Sequence, residues 1–477
     1  MTDVSVIVSY GTYIPYWRLD RSKIGEALET FGRGTRAVAS HDEDTTTMGV
    51  EAARACLAAA PSGVRVGQVL FVTTEPAYLD KTNATAIHAA LDLDPGAPAF
   101  DMVGSVNSAN GAMAAANFAP MPTLVVFSDL RTGLPGGADE SGGGDGAAAF
   151  LYSPDGPALV DFLGWGAATE EFLDRYRQPG DDHSHLWEER FGEAAYTPLA
   201  DQAVAEALKQ AGVSPADVDY AIVTGVHPRA VRVVAKSLGV GKEVLVDDLT
   251  GVIGNTGAAH GSIVLADLLD RAEPGKVILR VTLADGAIAT VIRTTDALGE
   301  WRARRPAIAT VAAQIEAGRT DLSYPKFLTW RGQLHRDPPR RPDPTPPVAP
   351  ASRRKETWKF AFHASRCEEC GTRHLPPTRV CVNCGAVDRM SQERLAETPA
   401  TIATYTVDRL AFSMSPPIVA TVVDFDGGGR FRCEMTDVDP DTVAIGNRVE
   451  MTFRRISTVN GIHNYFWKAR PVQEGAQ

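Results

Sequence analysis

The chain has 477 residues, of which 44% are hydrophobic and 22% are charged, and its formal net charge is -12. This length predicts two or three globular domains, and the negative charge argues against general nucleic-acid binding. No apolar run approaches the ~20 residues of a membrane helix, and the first residues lack the basic and apolar regions of a signal peptide, so we expect a cytoplasmic protein that binds no membrane.

From the N-terminus to about residue 334, short apolar runs alternate with alanine-rich segments of helical spacing. The strand-like runs are VSVIVSYGTYI, QVLFVTTE, TLVVFSD, AAAFLY, YAIVTGV, EVLVDD and KVILRVTLA. The helical segments between them are TTTMGVEAARACLAAA, ATAIHAALDL, NSANGAMAAANF, PLADQAVAEALKQAG and AVRVVAKSLG. Alternation of this kind predicts an α/β fold with a mostly parallel sheet.

Residues 335–356, HRDPPRRPDPTPPVAPASRRKE, are rich in proline and arginine. Proline fixes φ and removes a backbone donor, so this segment is predicted to be an extended linker. Residues 391–477 carry about five strand-like runs, and a Gly427-Gly428-Gly429 turn is expected to close a hairpin between two of them. Short strands of this number behind a cysteine-rich segment predict an OB-type β-barrel.

Between the linker and the barrel, residues 357–390 contain two C-x-x-C pairs separated by ten residues. Two such knuckles can place four thiolates around one zinc ion, and four thiolates leave no open position, so the zinc would be structural. The expected zinc ligands are Cys367, Cys370, Cys381 and Cys384. Four buried cysteines without a metal are the alternative.

Five motifs, spread in order over about 300 residues, resemble the 3-hydroxy-3-methylglutaryl-CoA synthase branch of the thiolase superfamily. They are SYGTYIPYWRL, HDEDTTTMGVEAA, GGGDGAAAFLYS, SPADVDYAIVTG and IGNTGAAHGSIVLADLL. The resemblance implies a five-layered fold built from two duplicated halves, here residues 1–160 and 161–334, and normally a homodimer. The C-terminal region resembles a zinc-ribbon and OB-fold domain that accompanies thiolase-like partners and binds or channels acyl-CoA.

The resemblance also implies a catalytic cysteine, which this chain lacks. Ser105 stands at the cysteine's position, in a strand-to-helix turn, whereas Cys56 lies on an apolar helix and Cys433 in the barrel. A serine hydroxyl needs a base to become nucleophilic, unlike a cysteine of lowered pKa. Ser105 is therefore interpreted as a nucleophile, a hydrogen-bond donor, or a small residue where a helix packs closely.

The family's catalytic histidine is displaced as well. A gapless match puts Thr224 at its position, and His227 follows three residues later, either reaching the cleft from a loop or lying on the surface. Asn255, in the GNTG motif, is expected to polarise a thioester carbonyl or to serve as a turn residue. His260 is a second candidate for proton transfer, with a buried structural histidine as the alternative.

The family's glutamate is expected at Glu75, at the end of a predicted strand. A match through Tyr78 and Lys81 instead places Thr74 there, and one residue on a strand reverses the side-chain face. We favour Glu75 as the acid/base group, with a solvated loop carboxylate as the alternative.

Two groups of basic residues are candidates for binding the phosphates of CoA, although solvated basic surfaces would show the same pattern. One group lies on one face of a predicted helix and comprises Arg229, Arg232 and Lys236. The other lies in the linker and comprises Arg340, Arg341, Arg353 and Arg354.

The leading hypothesis is an enzyme that makes or breaks a carbon–carbon bond of an acyl-CoA by aldol or retro-aldol chemistry, which needs no acyl-cysteine. The family contains thiolase-like aldolases of this kind. The acid/base candidates are Glu75, Tyr78, His227 and His260, with Asn255 and Ser105 as donors. The alternatives are a condensing acyltransferase that uses Ser105, and a non-catalytic CoA-binding scaffold. CoA or an acyl-carrier protein would deliver the substrate, and a thiolase or hydratase is the expected partner.

Overall fold

The computed structural model describes residues 5–187, 189–305, 309–337 and 345–472. The elements up to residue 153 are β1 (Val6–Tyr13), β2 (Trp17–Asp20), α1 (Ser22–Leu28), β3 (Thr35–Val38), α2 (Thr45–Ala58), β4 (Gln68–Thr73), α3 (Ala84–Ala90), β5 (Ala99–Val103), α4 (Ser108–Asn117), β6 (Thr123–Leu130), α5 (Ala138–Gly142) and β7 (Asp145–Ser153).

The elements of the next part of the chain are β8 (Val160–Ala168), β9 (Arg175–Tyr176), β10 (His185–Leu186), α6 (Glu189–Ala211), β11 (Tyr220–Gly225), α7 (Pro228–Ser237), α8 (His260–Leu269), β12 (Val277–Leu283), β13 (Ala287–Thr294), α9 (Asp296–Arg304), α10 (Val311–Glu316) and α11 (Tyr324–Trp330). The C-terminal elements are α12 (Ala349–Arg354), α13 (Glu356–Lys359), β14 (His363–Cys367), β15 (Arg373–His374), β16 (Met390–Arg394), β17 (Ala400–Asp408), β18 (Ile418–Phe425), β19 (Arg430–Glu434), β20 (Arg448–Val459) and β21 (Ile462–Pro471).

Two mixed sheets form the larger part of the molecule. The first has the order β1-β7-β6-β4-β5, and the second has the order β11-β12-β13-β8. Strand β4 is parallel to β5 and β6, and β11 is parallel to β12, but the remaining pairs are antiparallel. The expectation of a mostly parallel sheet was therefore wrong. A parallel pair needs a crossover of a dozen or more residues, whereas β12 and β13 are joined by a tight turn.

Helices cover and separate these two sheets in five layers, as expected. Helices α2 and α3 pack on one face of the first sheet, α4 and α8 lie between the sheets, and α6 and α7 cover the outer face of the second. In the central layer, α4 buries three alanines, Ala109, Ala112 and Ala116, together with Asn110. Close helix packing of this kind brings the turns before α4 and α8 near the ends of both sheets. The half boundaries at 160 and 334 remain a prediction.

Two segments differ from the sequence prediction. EVLVDD was expected to be a strand, but Lys242–Val244 is a short 3-10 helix, and only Leu245 bridges to Ala221 of β11. Lys242 and Glu243 of this helix are charged and exposed, so they do not fit in a buried strand. The linker was expected to be extended, yet α12 and α13 lie within or beside it, because Pro350 occupies the first turn of α12, where proline is tolerated. Arg340 and Arg341 lie outside the described residues.

The C-terminal region contains a small ribbon sheet, β15-β14-β16, and a five-stranded barrel, β19-β18-β17-β20-β21. Met435, directly after β19, forms a bridge to Ala469 of β21, and this bridge closes the barrel. Gly427, Gly428 and Gly429 all have positive φ in the turn between β18 and β19, which explains the three glycines. The expected OB-type barrel is confirmed.

The barrel packs directly on α2 of the larger part. One apolar cluster runs from the first sheet through α2 into the barrel, where Phe453 and Trp467 are buried. Polar contacts reinforce the junction: Glu51 accepts a hydrogen bond from the Phe453 backbone at 3.1 Å and pairs with Arg470 at 3.1 Å. None of the helices in the described ranges has the length and apolar character to cross a membrane.

Candidate active site

The ends of β4, β5 and β12 converge on a cavity of about 700 Å³. Glu75 follows β4, Ser105 lies in the turn between β5 and α4, and Asp285 lies in the turn between β12 and β13; all three line the cavity. Residues 174–182, which include the strand β9, cover one side of the cavity. The structure therefore brings two of the expected catalytic residues, Glu75 and Ser105, into one site.

Ser105 is paired with a carboxylate that the sequence analysis missed. The Ser105 Oγ donates a hydrogen bond to Asp285 Oδ2 at 2.6 Å and accepts one from the Asn107 backbone at 3.1 Å. Gly104 precedes the serine with φ of 108°, a conformation that a side chain would strain. The dipeptide Asp285-Gly286 is typical of a hairpin turn, so the sequence could have indicated the turn. It could not have indicated the contact with Ser105, which lies far away in the sequence.

The structure separates the roles of Thr74 and Glu75. The Thr74 hydroxyl is directed inward, with its Oγ1 2.8 Å from Asp129 Oδ2. Both residues line the cavity, but the Glu75 side chain forms an ion pair with Arg177, which also donates to the Thr74 carbonyl. Arg177 follows β9, so this ion pair holds the hairpin β9–β10, which we call the flap, against Glu75. Neither the flap nor its arginine could be identified from the sequence.

No thiol is available at the cavity within the described ranges. Burial raises the pKa of Cys56 and of Cys433 to about 12 in each case, so both remain protonated at neutral pH. Cys56 lies in α2 and Cys433 in β19, and neither is among the residues that line the cavity.

The histidine candidates are buried and lie outside the residues that line the cavity. His227 is 5% exposed and caps α7, with its Nδ1 accepting a hydrogen bond from the Ala230 backbone at 3.0 Å. It is therefore not a surface histidine. Tyr196, which does line the cavity, lies next to it, with ring centroids 6.0 Å apart. His260 is in the central layer, where burial lowers its pKa to about 4, so the imidazole is neutral. Thr224 is buried on β11.

Asn255 and Tyr78 make structural contacts. The Asn255 amide donates to the Gly225 carbonyl at 2.8 Å, and its oxygen accepts from the Gly257 backbone at 3.0 Å. The amide oxygen is thus used within the turn, and the amide nitrogen ties the turn to the end of β11. Tyr78 is directed toward the barrel, where its hydroxyl accepts a hydrogen bond from the His463 backbone at 2.7 Å.

Further cavities lie between Glu75 and the barrel. Glu75 also lines a cavity of about 250 Å³, to which the barrel contributes Arg455 and His463. Ser40 lines both this cavity and a larger one of about 970 Å³ between the barrel and the rest of the molecule. Glu75 therefore forms part of the wall of both the candidate active site and a cavity at the junction of the two parts.

The basic residues proposed for CoA phosphates lie elsewhere. Arg229, Arg232 and Lys236 are exposed on α7, and Arg232 donates to the Pro228 carbonyl at 3.1 Å. Arg353 and Arg354 end the short helix α12. The cavity walls instead carry Arg131, Arg175 and Arg177.

The four expected metal ligands form a compact cluster. Their sulfur atoms all lie within 4.8 Å of one another, and the pairs Cys367–Cys384 and Cys370–Cys381 are 3.6 Å apart. Four sulfurs placed tetrahedrally around zinc at ~2.3 Å would be roughly 3.8 Å apart, so the geometry fits. Gly371 and Gly385 both have φ of 75°, as the two knuckle turns require.

Comparisons with known proteins agree with this architecture. Residues 208–293 match the family model of the 3-oxoacyl-[acyl-carrier-protein] synthase III C terminal, and residues 393–454 match that of the ChsH2 C-terminal OB-fold domain. A hydroxymethylglutaryl-CoA synthase from Aeropyrum pernix is 32% identical over 350 residues, which cover 69% of this chain and 94% of that protein. One from Pyrococcus furiosus is 31% identical over 322 residues, which cover 65% and 91%.

Solved structures show the same fold for the larger part. A hydroxymethylglutaryl-CoA synthase from Bacillus subtilis superposes with a TM-score of 0.60 at 18% identity, covering 69% of this chain and 89% of that one. A 3-oxoacyl-(acyl carrier protein) synthase III from Pseudomonas aeruginosa gives a TM-score of 0.54 at 21% identity, covering 61% and 98%.

Proposed function

Because the chain belongs to the hydroxymethylglutaryl-CoA synthase family, we propose that it is an enzyme that forms or cleaves a carbon–carbon bond in an acyl-CoA thioester. The observation that carries this proposal is the content of the cavity: its wall includes the carboxylates of Glu75 and Asp285 and the hydroxyl of Ser105, with no thiol among the described residues that line it. Covalent exchange on cysteine is then not the route. Aldol or retro-aldol chemistry is the route that these groups support best.

In the cleavage direction, the substrate would be a β-hydroxyacyl thioester. Glu75 would remove the proton of the β-hydroxyl, the bond between Cα and Cβ would break, and Cβ would leave as an aldehyde or ketone. The electron pair would remain on the thioester as an enolate, which takes a proton at Cα. Hydrogen-bond donors at the cavity wall would stabilise the enolate oxygen. Tyr196 lines the cavity and stays protonated because burial raises its pKa, and it would donate to the enolate by exchanging its hydrogen bond with Asp174.

A second candidate is a condensing acyltransferase in which Ser105 carries the acyl group. The hydrogen bond from Ser105 to Asp285 favours it, because a nucleophilic serine needs a base within reach. A carboxylate is a weaker base for a hydroxyl than imidazole, which is why we rank this candidate second.

The elongated shape of an acyl-CoA, or of an acyl group on a carrier protein, suits three neighbouring cavities. Ser40 lines the first and second of them, and Glu75 lines the second and third.

We further propose that the cysteine cluster holds one structural zinc ion, since all four thiolates would be used as ligands. A homodimer is supported by the exposed edge strand β5, where Phe100 and Val103 are 50% and 45% exposed. A partner thiolase or hydratase would supply or consume the acyl-CoA.

Incubating the purified protein with β-hydroxyacyl-CoA thioesters tests the proposal. Liquid chromatography with mass spectrometry should detect a shortened acyl-CoA and a carbonyl product, with no acyl adduct on the intact protein. An adduct that is absent from Ser105→Ala would favour the second candidate. Binding of CoA thioesters without product or adduct would instead support the scaffold that the sequence left open, and would contradict an enzymatic role.

A further inference from the structure

The short segment that carries Glu75 is held by the barrel as well as by the larger part of the molecule. We propose that His463 of the barrel is a positioning residue for Glu75, so that the barrel completes the active site. This inference rests on the proposed function, because it assumes that Glu75 transfers protons. This positioning role is separate from any role of the barrel in binding CoA, because the contacts between His463 and the Glu75 segment form without a ligand.

His463 makes the most direct contacts with the segment. Its backbone donates to the Tyr78 hydroxyl at 2.7 Å, and the two rings lie 4.9 Å apart. Its imidazole also interacts with the backbone of Ala77, and its Nδ1 is 2.8 Å from the Thr458 hydroxyl. Burial lowers the pKa of His463, and Arg455 acts in the same direction, so the ring is neutral. These contacts fix the two residues that lie two and three positions after Glu75.

A second connection reaches the Glu75 backbone itself. The Thr45 hydroxyl donates to the Glu75 carbonyl at 2.7 Å. Thr45 begins α2, and the N-cap of that helix is Asp44, which accepts a hydrogen bond from Tyr465 at 2.8 Å and faces Arg455 at 3.7 Å. Two barrel residues therefore fix the helix end that holds Glu75.

The larger part holds the same segment from the opposite side. The Asn83 side chain accepts from the Tyr78 backbone N–H at 3.0 Å and donates to its carbonyl at 2.9 Å. Asp101 in turn accepts from the Asn83 backbone at 2.6 Å. Tyr78 thus has its main chain fixed by the larger part and its hydroxyl fixed by the barrel. We assign Tyr78 a positioning role instead of the acid/base role considered from the sequence.

The expected consequence is kinetic. A general base must lie within hydrogen-bond reach of the proton that it removes, and a misplacement of ~1 Å can cost ~10²-fold in rate. Replacing His463 by alanine removes its ring contacts with Ala77 and Tyr78 but keeps the backbone hydrogen bond to the Tyr78 hydroxyl. Loss of the ring contacts should therefore lower kcat, while KM, which reflects contacts along the whole thioester, should change little.

The test compares His463→Ala, Tyr78→Phe and His463→Gln, with Ile462→Ala as the matched control. Ile462 is the neighbouring residue of the same strand and is 44% exposed. We expect kcat to fall by about tenfold or more in His463→Ala and by less in Tyr78→Phe, with KM within about twofold. Glutamine can donate to the Ala77 backbone as imidazole does, so His463→Gln should recover most of the activity. Adding His463→Ala to Glu75→Gln should cause no further loss.

Hydrogen exchange of residues 74–82, followed by mass spectrometry, gives a readout that needs no turnover. His463→Ala should accelerate exchange in this segment, and Ile462→Ala should not. Wild-type kcat and unchanged exchange in His463→Ala would overturn the inference, as would additive losses with Glu75→Gln. If Glu75→Gln alone is fully active, the proposed function fails, and the exchange data still decide whether the barrel holds the segment. A thermal melt of each variant excludes global unfolding as the cause.

Discussion

Ser105 and Asp285 form a hydrogen bond of 2.6 Å that joins the ends of the first and second sheets at the candidate active site. Ser105 follows a strand of the first sheet, and Asp285 follows a strand of the second. The pair exists only when the two sheets are packed around the central helices. The acyltransferase candidate uses this pair directly, because Asp285 would take the proton of the Ser105 hydroxyl, so substitution of the pair separates the two proposed reactions.

Asp285→Asn keeps the size of the side chain and removes its charge. In the acyltransferase that uses Ser105, it should lower kcat by about 10²-fold, since a positioned acid/base group contributes 10²–10⁴. Steady-state assays with the thioester that the wild-type protein turns over would measure the effect. Asp155→Asn, at an exposed turn, is the control. Activity within twofold of wild type in Asp285→Asn would exclude Asp285 from the reaction.

Glu75→Gln should reduce turnover by about 10²-fold or more without abolishing thioester binding, because the amide cannot accept a proton. The binding constant can be measured by calorimetry with a non-hydrolysable CoA analogue, alongside the turnover rate. Glu170→Gln, on the exposed connection between β8 and β9, should behave as wild type. Parallel losses of binding and turnover would argue that Glu75 only maintains the cavity.

Metal analysis of the purified protein should find about one zinc per chain. Cys381→Ser should lose the metal and lower the Tm, because binding free energy at a structural zinc site is also folding free energy. Cys433→Ser removes a barrel thiol outside the cluster and should keep the metal. A full complement of zinc in Cys381→Ser would show that the ion is bound elsewhere.

Docking of the barrel should weaken in acid. Burial opposes ionisation of Glu51, but Arg54 and Arg470 outweigh it and lower its pKa to about 2. A carboxyl group whose pKa is lowered on folding stabilises the folded state above its unfolded pKa of ~4.3, and this contribution is lost as the pH falls toward 2. The contribution is about 3 kcal/mol.

Denaturant titrations between pH 7 and pH 2 would measure this dependence. Glu51→Gln should be less stable at pH 7 and should show a shallower decline on acidification. Glu26→Gln, on the exposed side of α1, should reproduce the wild-type curve. Identical curves for Glu51→Gln and wild type would show that the ion pair with Arg470 does not contribute to stability.

The features that the sequence predicted well are local in the chain. The C-x-x-C spacing placed Cys367 and Cys370 beside the second pair, because knuckle geometry is set within a few residues. The five barrel strands followed from alternation and from the glycine turn. The family motifs placed Ser105 at the turn before α4, since that match depends on neighbouring residues and needs no knowledge of distant contacts.

The partners of the active-site residues could not be predicted in the same way. Arg177 reaches Glu75 from a flap about one hundred residues later, and Asp285 reaches Ser105 from the other half of the fold. Nothing in the local sequence distinguishes these side chains from other surface charges. His227 illustrates the converse: its position beside a proline suggested an accessible loop, but its ring caps α7 and is buried.

Arg454 forms a buried ion pair across the junction between the barrel and the larger part. Its guanidinium is fully buried and lies 2.7 Å from Glu43 of the larger part, and it also pairs with Asp437 of the barrel. Separating the barrel would break the pair between Arg454 and Glu43 and would expose to water the apolar cluster that α2 shares with the barrel, which is unfavourable. A protease that severs the connecting chain should therefore yield two fragments that migrate together on a sizing column, and calorimetry of the intact chain should show one melting peak.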